Sequence, residues 1–130
     1  MQIGDTYEIR GTVTEASTAQ SVGSGGLPVF STPYMIAMME NAAYTLLQRE
    51  LPEGKTSVGT KLDVFHVAAS PVGIGLRAEA SVSAISGDGR SVEFTVSVWD
   101  DTELVGRGSH RRAIVDAARF LSKCESKLNK

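Results

Sequence analysis

The sequence predicts an α+β fold in which an antiparallel sheet of about five strands wraps around one long buried helix. Three observations predict it. The run 35–49 contains no Gly or Pro and is rich in Ala, Leu and Met, which favour helix. Its apolar residues, from Met35, Ile36, Met38 and Met39 through Ala42 and Ala43 to Leu46 and Leu47, encircle most of that helix rather than forming one stripe. Such a helix is expected to be buried on most sides. Beyond it the hydrophobic period drops to two, and four alternating segments follow with short turns between them.

The elements follow in chain order. Residues 7–14 alternate loosely around Ile9, Thr12 and Val13 and read as a first strand. Gly23-Ser24-Gly25-Gly26-Leu27-Pro28 is a loop by composition. Thr32-Pro33 opens the helix: threonine is a good N-cap, and proline at the first helical position needs no N–H partner. Leu51-Pro52-Glu53-Gly54 ends it. Val58, Thr60, Leu62, Val64 and His66 then fall on one face of a strand. Pro71 and Gly73 mark a turn, after which Ile74, Leu76, Ala78, Ala80, Val82 and Ala84 alternate with polar residues. Gly87-Asp88-Gly89 is a hairpin turn. Val92, Phe94, Val96 and Val98 alternate again, Asp100-Asp101 turns the chain, and 104–114 reads as a last strand. A short polar helix carrying Phe120, Leu121 and Leu128 begins at Asp116.

Short turns make neighbouring strands antiparallel. A meander with one all-apolar helix packs as a curved sheet around that helix. This is the hotdog architecture. A five-stranded sheet leaves an edge to be covered, and continuing it into a second copy of the chain covers it, so a homodimer is expected.

Size and composition bound the function. A chain of 130 residues suits one domain, 1–130, and can bury one real core. Its net charge of -2 provides no basic field for nucleic acid or an anionic membrane, and neither partner is expected. No window approaches 18 uncharged apolar residues, and the start, Met1-Gln2-Ile3-Gly4-Asp5, does not read as a signal peptide. The single cysteine, Cys124, allows no intrachain disulfide, which favours a reducing compartment and a cytoplasmic location. His66 and His110 are the only histidines, and no paired His or Cys spacing suggests a metal. Gly23-Ser24-Gly25-Gly26 lacks the lysine of a phosphate-binding loop. No cofactor is expected.

Three residues break the pattern around them. Glu40 lies in a stretch that should be largely buried, where a carboxylate must be hydrogen-bonded, protonated or used. Its bland explanation is a helix-face charge at a contact or solvent gap. His66 shares a strand face with Leu62 and Val64 and points toward the core or a pocket. It is either a satisfied core histidine or a group that moves protons near neutrality. Thr32 is an ordinary N-cap by position. The positive end of a helix and its free N–H groups also suit a carbonyl that becomes an oxyanion.

Five segments carry a resemblance. They are Phe30-Ser31-Thr32-Pro33, Met38-Met39-Glu40-Asn41-Ala42, Ser57-Val58-Gly59-Thr60, Asp63-Val64-Phe65-His66-Val67-Ala68-Ala69-Ser70-Pro71, and Gly106-Arg107-Gly108-Ser109-His110. Together, from about Ile9 to about Val115, they resemble the fluoroacetyl-CoA thioesterase-like branch of hotdog thioesterases. The resemblance implies catalytic roles for Thr32, Glu40 and His66, with the backbone near Gly59 against the thioester. It also implies a dimer with sites at the subunit interface, an acyl-CoA substrate and no metal. Met39 and Phe65 are candidate substrate-binding residues. Lys61, Arg107, Arg111 and Arg112 are candidates for the phosphates of CoA. The loop before the helix has no bulky aromatic between Val22 and Leu27, so the reaction class is carried over and the fluorinated substrate is not.

Spacing restricts how these groups can meet. Eight residues of helix between Thr32 and Glu40 rise about 12 Å, well beyond hydrogen-bond contact of about 3 Å. Either Thr32 precedes the helix and folds back, or the groups serve different parts of one substrate, or they meet across a dimer. The expected function is hydrolysis of a small acyl-CoA to free acid and CoA. The alternative is a non-catalytic module of the same fold that binds an acyl-CoA or another small ligand. A hydratase would need an acid close to His66, and Asp63, at odd spacing, falls on the opposite face.

Overall fold

Ser31 sets where the central helix begins. Its backbone is extended, and its Oγ accepts a hydrogen bond from the Tyr34 N–H at 3.2 Å. Ser31 is therefore the cap. Thr32, expected in that role, is the first helical residue, with Pro33 behind it in a turn that needs no N–H from it.

The computed structural model describes residues 1–129. The chain runs through β1 (Thr6–Thr12), a 3-10 turn (Glu15–Ser17), the one-turn helix α1 (Ala19–Val22), α2 (Thr32–Gln48), β2 (Lys55–His66), β3 (Gly75–Ile85), β4 (Ser91–Asp100), β5 (Leu104–Asp116), α3 (Ala117–Glu125) and a last 3-10 turn (Ser126–Asn129). No helix among the described residues is long and apolar enough to cross a membrane.

The five strands form one antiparallel sheet in the order β1-β3-β4-β5-β2. This corrects the simple meander. β3, β4 and β5 are joined by hairpins, but β2 pairs with β5, not with its sequence neighbour β3. Residues 67–74 carry the chain across the sheet end between them. Polar anchors fix that segment: the Val67 N–H donates to the Val105 carbonyl at 2.7 Å, and the wholly buried Ser70 hydroxyl donates to Asp100 at 2.7 Å. β1 and β2 are the two edges.

The core lies between α2 and the concave face of the sheet. Met35, Met39, Ala42, Ala43, Leu46 and Leu47 pack against Ala78, Ala80 and Val82 of β3, Val92, Phe94, Val96 and Val98 of β4, and Val105 of β5. Burying each of the larger side chains stabilises the fold by about 1.5–3 kcal/mol. The alanines of β3 allow the helix to approach the sheet. The burial expected on most sides of the helix leaves one side open in the single chain: Pro33, Tyr34, Ala37, Asn41 and Tyr44 form an exposed stripe along it.

Two positions of β5 admit no side chain, one because α2 lies over it and one because β2 does. A Cβ at Gly106 would run into the Met35 sulfur, and one at Gly108 into the Asp63 carbonyl and the Val64 backbone. Backbone cannot yield as a flexible side chain can. Gly108→Ala should therefore lower stability by about 1–3 kcal/mol in urea unfolding. Gly87→Ala, with nothing within 4 Å of its Cβ, should change stability by less than about 0.5 kcal/mol.

Candidate active site

The chain reverses between α2 and β2, so the two elements run alongside each other in opposite directions. Gln48 Oε1 accepts from Thr56 Oγ1 at 2.9 Å, Glu40 reaches Gly59, and Thr32 meets His66. The last contact places Thr32 Oγ1 2.8 Å from His66 Nδ1. With the hydroxyl donating, Nδ1 accepts and the ring proton resides on Nε2. Nε2 is buried without a hydrogen-bond partner among the described residues. Burial holds the His66 pKa below the usual histidine value, with the Ala68 backbone opposing, so the ring is a neutral base at pH 7. Phe30 meets the ring edge-on at 6.3 Å and restrains it.

This pair opens on a cavity of about 410 Å³. Its other walls are small and mostly apolar: Ala19, Val29, Val67, Ala68 and Ala69. Ser24, from the Gly-rich loop, lines it as well. Phe30 is the one aromatic carbon ring in the lining.

A one-residue irregularity in β2 brings His66 to this side. The pairing with β5 shifts between Gly59 and Lys61, and Thr60 has no ladder partner. Before the shift Ser57 and Gly59 share the helix-facing side with Ile114 and Arg112. After it Leu62, Val64 and His66 do, opposite His110, Gly108 and Gly106. The single face expected for Val58 through His66 is thus broken, and Val58 lies on the other side.

Glu40 does not join Thr32 and His66 within one chain. It lines a separate opening with Ala37, Asn41, Tyr44 and Arg112. Arg112 Nη1 lies 3.5 Å from Glu40 Oε2. The same guanidinium donates through Nε to Ser57 Oγ at 2.8 Å and through Nη2 to the Ser57 carbonyl at 3.1 Å. Its Nη1 is also 3.2 Å from His110 Nε2, and His110 Nδ1 is 2.9 Å from the Lys61 carbonyl. The carbonyl can only accept, so Nδ1 carries the proton and Nε2 accepts from Arg112. Gly59 completes the arrangement. A Cβ there would come within 2.7 Å of Glu40 Oε2, so glycine leaves the carboxylate its place.

The remaining sequence candidates separate. Met39 is wholly buried in the core and meets neither opening. Phe65 is 56% exposed, with Arg107 over its ring at 5.1 Å, and does not line the cavity beside His66. Arg112 is buried in the Glu40 cluster and unavailable to a phosphate, and Arg111 pairs with Glu93 at 3.3 Å. The Ser57–His110–Arg112 cluster itself escaped the sequence reading. Its signal was present: positions 106, 108, 110 and 112 share the core-facing side of β5, and two of them are ionisable.

The fold defined by this sheet and helix is the hotdog fold. A hot-dog-like protein from Thermanaerovibrio acidaminovorans superposes with a TM-score of 0.88 over 98% of this chain and 93% of its own, at 22% identity. The family model for the fluoroacetyl-CoA-specific thioesterase FlK matches residues 13–118, and the chain belongs to that family. The fluoroacetyl-CoA thioesterase of Streptantibioticus cattleyicolor is 32% identical over 99 residues, covering 76% of this chain and 70% of the relative. A solved structure of fluoroacetyl-CoA thioesterase FlK superposes with a TM-score of 0.91 at 27% identity, covering 98% of this chain and 97% of that one.

Burial also holds His110 below the usual histidine value; the Lys61 carbonyl opposes this and Arg112 reinforces it. Both histidines thus bind protons more weakly in the folded chain than in the unfolded chain. Their contribution to stability is full above the ordinary histidine pKa of about 6.5 and is lost as pH falls below it. The melting temperature should decline as pH falls below about 6.5. In His110→Gln that decline should shrink, whatever the variant's stability at pH 8. An unchanged acid slope would assign the decline elsewhere.

Proposed function

We propose that this chain, as one hotdog domain over 1–130, hydrolyses the thioester of a small acyl-CoA in a site shared by two copies of the chain. The contact between Thr32 Oγ1 and His66 Nδ1, at the mouth of a small apolar cavity, carries the proposal. A hydroxyl hydrogen-bonded to a neutral imidazole is the arrangement of an activated nucleophile. The cavity walls of alanine and valine suit a short acyl group. Family membership supports the reaction class, and a solved FlK structure with a TM-score of 0.87 holds fluoroacetate and CoA.

In this mechanism the acyl group enters beside Ala68 and the thioester carbonyl lies against Thr32. His66 takes the Thr32 proton as Oγ1 attacks the carbonyl carbon. The Thr32 N–H at the start of α2 and backbone N–H near Gly59 of the partner subunit stabilise the oxyanion, since Pro33 has no N–H and those of Tyr34 and Met35 are already bonded to Ser31. The carbon–sulfur bond breaks, and the protonated His66 returns its proton to the CoA sulfur. Water, giving a proton to Glu40, then attacks the acyl carbon; the bond to Thr32 Oγ1 breaks, Oγ1 takes that proton back, and the free acid leaves with Thr32 and Glu40 restored. Direct attack of water on the thioester uses the same groups without acylating Thr32. Mass spectrometry of quenched turnover distinguishes the two by the presence or absence of an acylated Thr32.

Glu40 enters from the partner subunit in this proposal. β2 is an unpaired edge of twelve residues, and beside it Leu62, Phe65 and Val67 are exposed at 36%, 56% and 51%. The open stripe of α2 lies along the same side. Antiparallel pairing of two β2 edges about a two-fold axis would cover these groups and set His66 of one chain opposite Gly59 and Glu40 of the partner subunit. Such an interface should bury more than about 1,000 Å². The Gly-rich loop places no aromatic carbon ring over the cavity, so the proposed substrate is a small acyl-CoA without a requirement for fluorine. The lone Cys124 is exposed, which favours the cytoplasm as the location.

A panel of acyl-CoA esters from two to about sixteen carbons, read by thiol release, tests the activity. Short chains should turn over fastest, and binding without thiol release would favour a ligand-binding module. Thr32→Ala, Glu40→Gln and His66→Ala should each lower kcat by about 10²–10⁴-fold without loss of fold. Coexpressing Thr32→Ala with Glu40→Gln tests the shared site. Half of the dimers are then mixed and each carries one intact site, so about a quarter of wild-type activity should return. No recovery would place both groups in a single-chain site.

A further inference from the structure

A second cavity, of about 380 Å³, lies where β2 begins, β5 ends and α3 starts. Three backbone contacts assemble it. Lys55 pairs with Asp116 in the ladder, the Ile114 N–H donates to the Arg90 carbonyl at 2.8 Å, and the Ala117 N–H donates to the Gly54 carbonyl at 2.9 Å. Four cations converge there: Lys55, Arg90, Arg119 and Lys123. None of them takes part in an ion pair among the described residues, although the chain as a whole is net negative. Asp116 is the one carboxylate in the lining among the described residues, and its Oδ1 accepts from the Arg119 N–H at 3.0 Å as the cap of α3. Phe120 stands in the same lining, 46% exposed.

We propose that this basic cavity binds the phosphorylated nucleotide end of CoA, with Lys55 and Arg119 on its phosphates and Phe120 against its adenine. The proposal rests on the thioesterase reading above and adds the place where the substrate's far end is held. Its first support is charge: four cations against the single described carboxylate of Asp116, which feels Lys55 and Arg119 without a close ion pair, leave the recess net positive and matched to a pyrophosphate and a 3′-phosphate. A planar apolar side chain at their edge matches a base, which stacks on any aromatic face. Its second support is distance. Lys55 is four residues along β2 from Gly59, about 13 Å. Gly59 and Glu40 border the acyl end in the proposed dimer. The pantetheine arm between thioester and pyrophosphate spans roughly 15 Å when extended, by ordinary bond lengths. The basic cavity therefore lies one arm's length from the reacting carbonyl. The arginines expected earlier for this role fit less well, since Arg112 is inside the Glu40 cluster and Arg111 is bound to Glu93. Arg107, stacked on Phe65, is the fair comparison.

The test is the double variant Lys55→Glu/Arg119→Glu, whose two side chains are exposed and make no hydrogen bond that the fold depends on. Binding of CoA and of dephospho-CoA is measured by calorimetry. Turnover is measured with the best acyl-CoA of the panel and with the matching acyl-pantetheine. The double variant should bind CoA about ten- to a hundredfold more weakly and raise KM for the acyl-CoA by a similar factor. Its kcat should be unchanged, and its acyl-pantetheine kinetics should match wild type. Added salt should weaken wild-type binding and leave the variant less affected. Unchanged CoA affinity in the double variant would overturn the proposal, as would a full loss produced by Arg107→Glu instead. CoA binding that depends on Lys55 and Arg119 in a wild-type chain without thiol release would retain this cavity and remove the thioesterase reading. Thiol release with no effect of the double variant would do the reverse.

Discussion

One unpaired residue in β2 determines which side chains share the space beneath the helix. Thr60 has no ladder partner, and its hydroxyl bonds to the Arg111 carbonyl at 3.2 Å. A strand without that extra residue would turn either Gly59 or His66 to the far face, because side chains alternate strictly. With it, both face α2. Gly59 then leaves room for the Glu40 carboxylate, and His66 reaches Thr32 at the start of the helix. The proposed chemistry uses both halves, so it depends on this irregularity before it depends on any charge.

The buried charge of Arg112 is the second constraint. A guanidinium at 6% exposure is tolerable only when its donors are occupied, and Ser57, His110 and Glu40 occupy them. A hydrophobic residue of similar volume would serve stability as well or better. What the cluster provides is direction: it fixes the carboxylate of Glu40 at one point above Gly59. Rigidity there is consistent with a group that must address a substrate rather than with one that only fills a gap.

Much of the fold was legible in the sequence because it follows from periodicity. The all-apolar helix, the alternating strands and the hairpin at Gly87-Asp88-Gly89 follow from side-chain direction alone. Strand order did not, because the 67–74 crossover has the length of a long turn and only tertiary contacts such as Ser70 with Asp100 reveal its path. The helix cap was missed by one residue because serine and threonine compete at adjacent positions, and Ser31 has the extended backbone. Thr32 and His66 could be singled out as breaks in pattern, but their contact across 34 residues of chain could not be calculated from spacing. Arg112 shares its face of β5 with Gly106, Gly108 and His110, which the alternation of that strand shows, but its partner Ser57 was hidden, because the bulge at Thr60 changes the parity of β2 and nothing in the alternation there announces it.

The outer side of β2 has a consequence outside catalysis. A long strand with free N–H and C=O groups along one side accepts any extended chain as a neighbour. A correct second copy occupies that edge in the proposed assembly, whereas a partly unfolded neighbour would occupy it wrongly. Dilution would then inactivate by leaving the edge vacant, and crowding at high temperature would inactivate by filling it with the wrong strand. Shelf life, not only turnover, would be governed by how quickly each new protomer meets its twin.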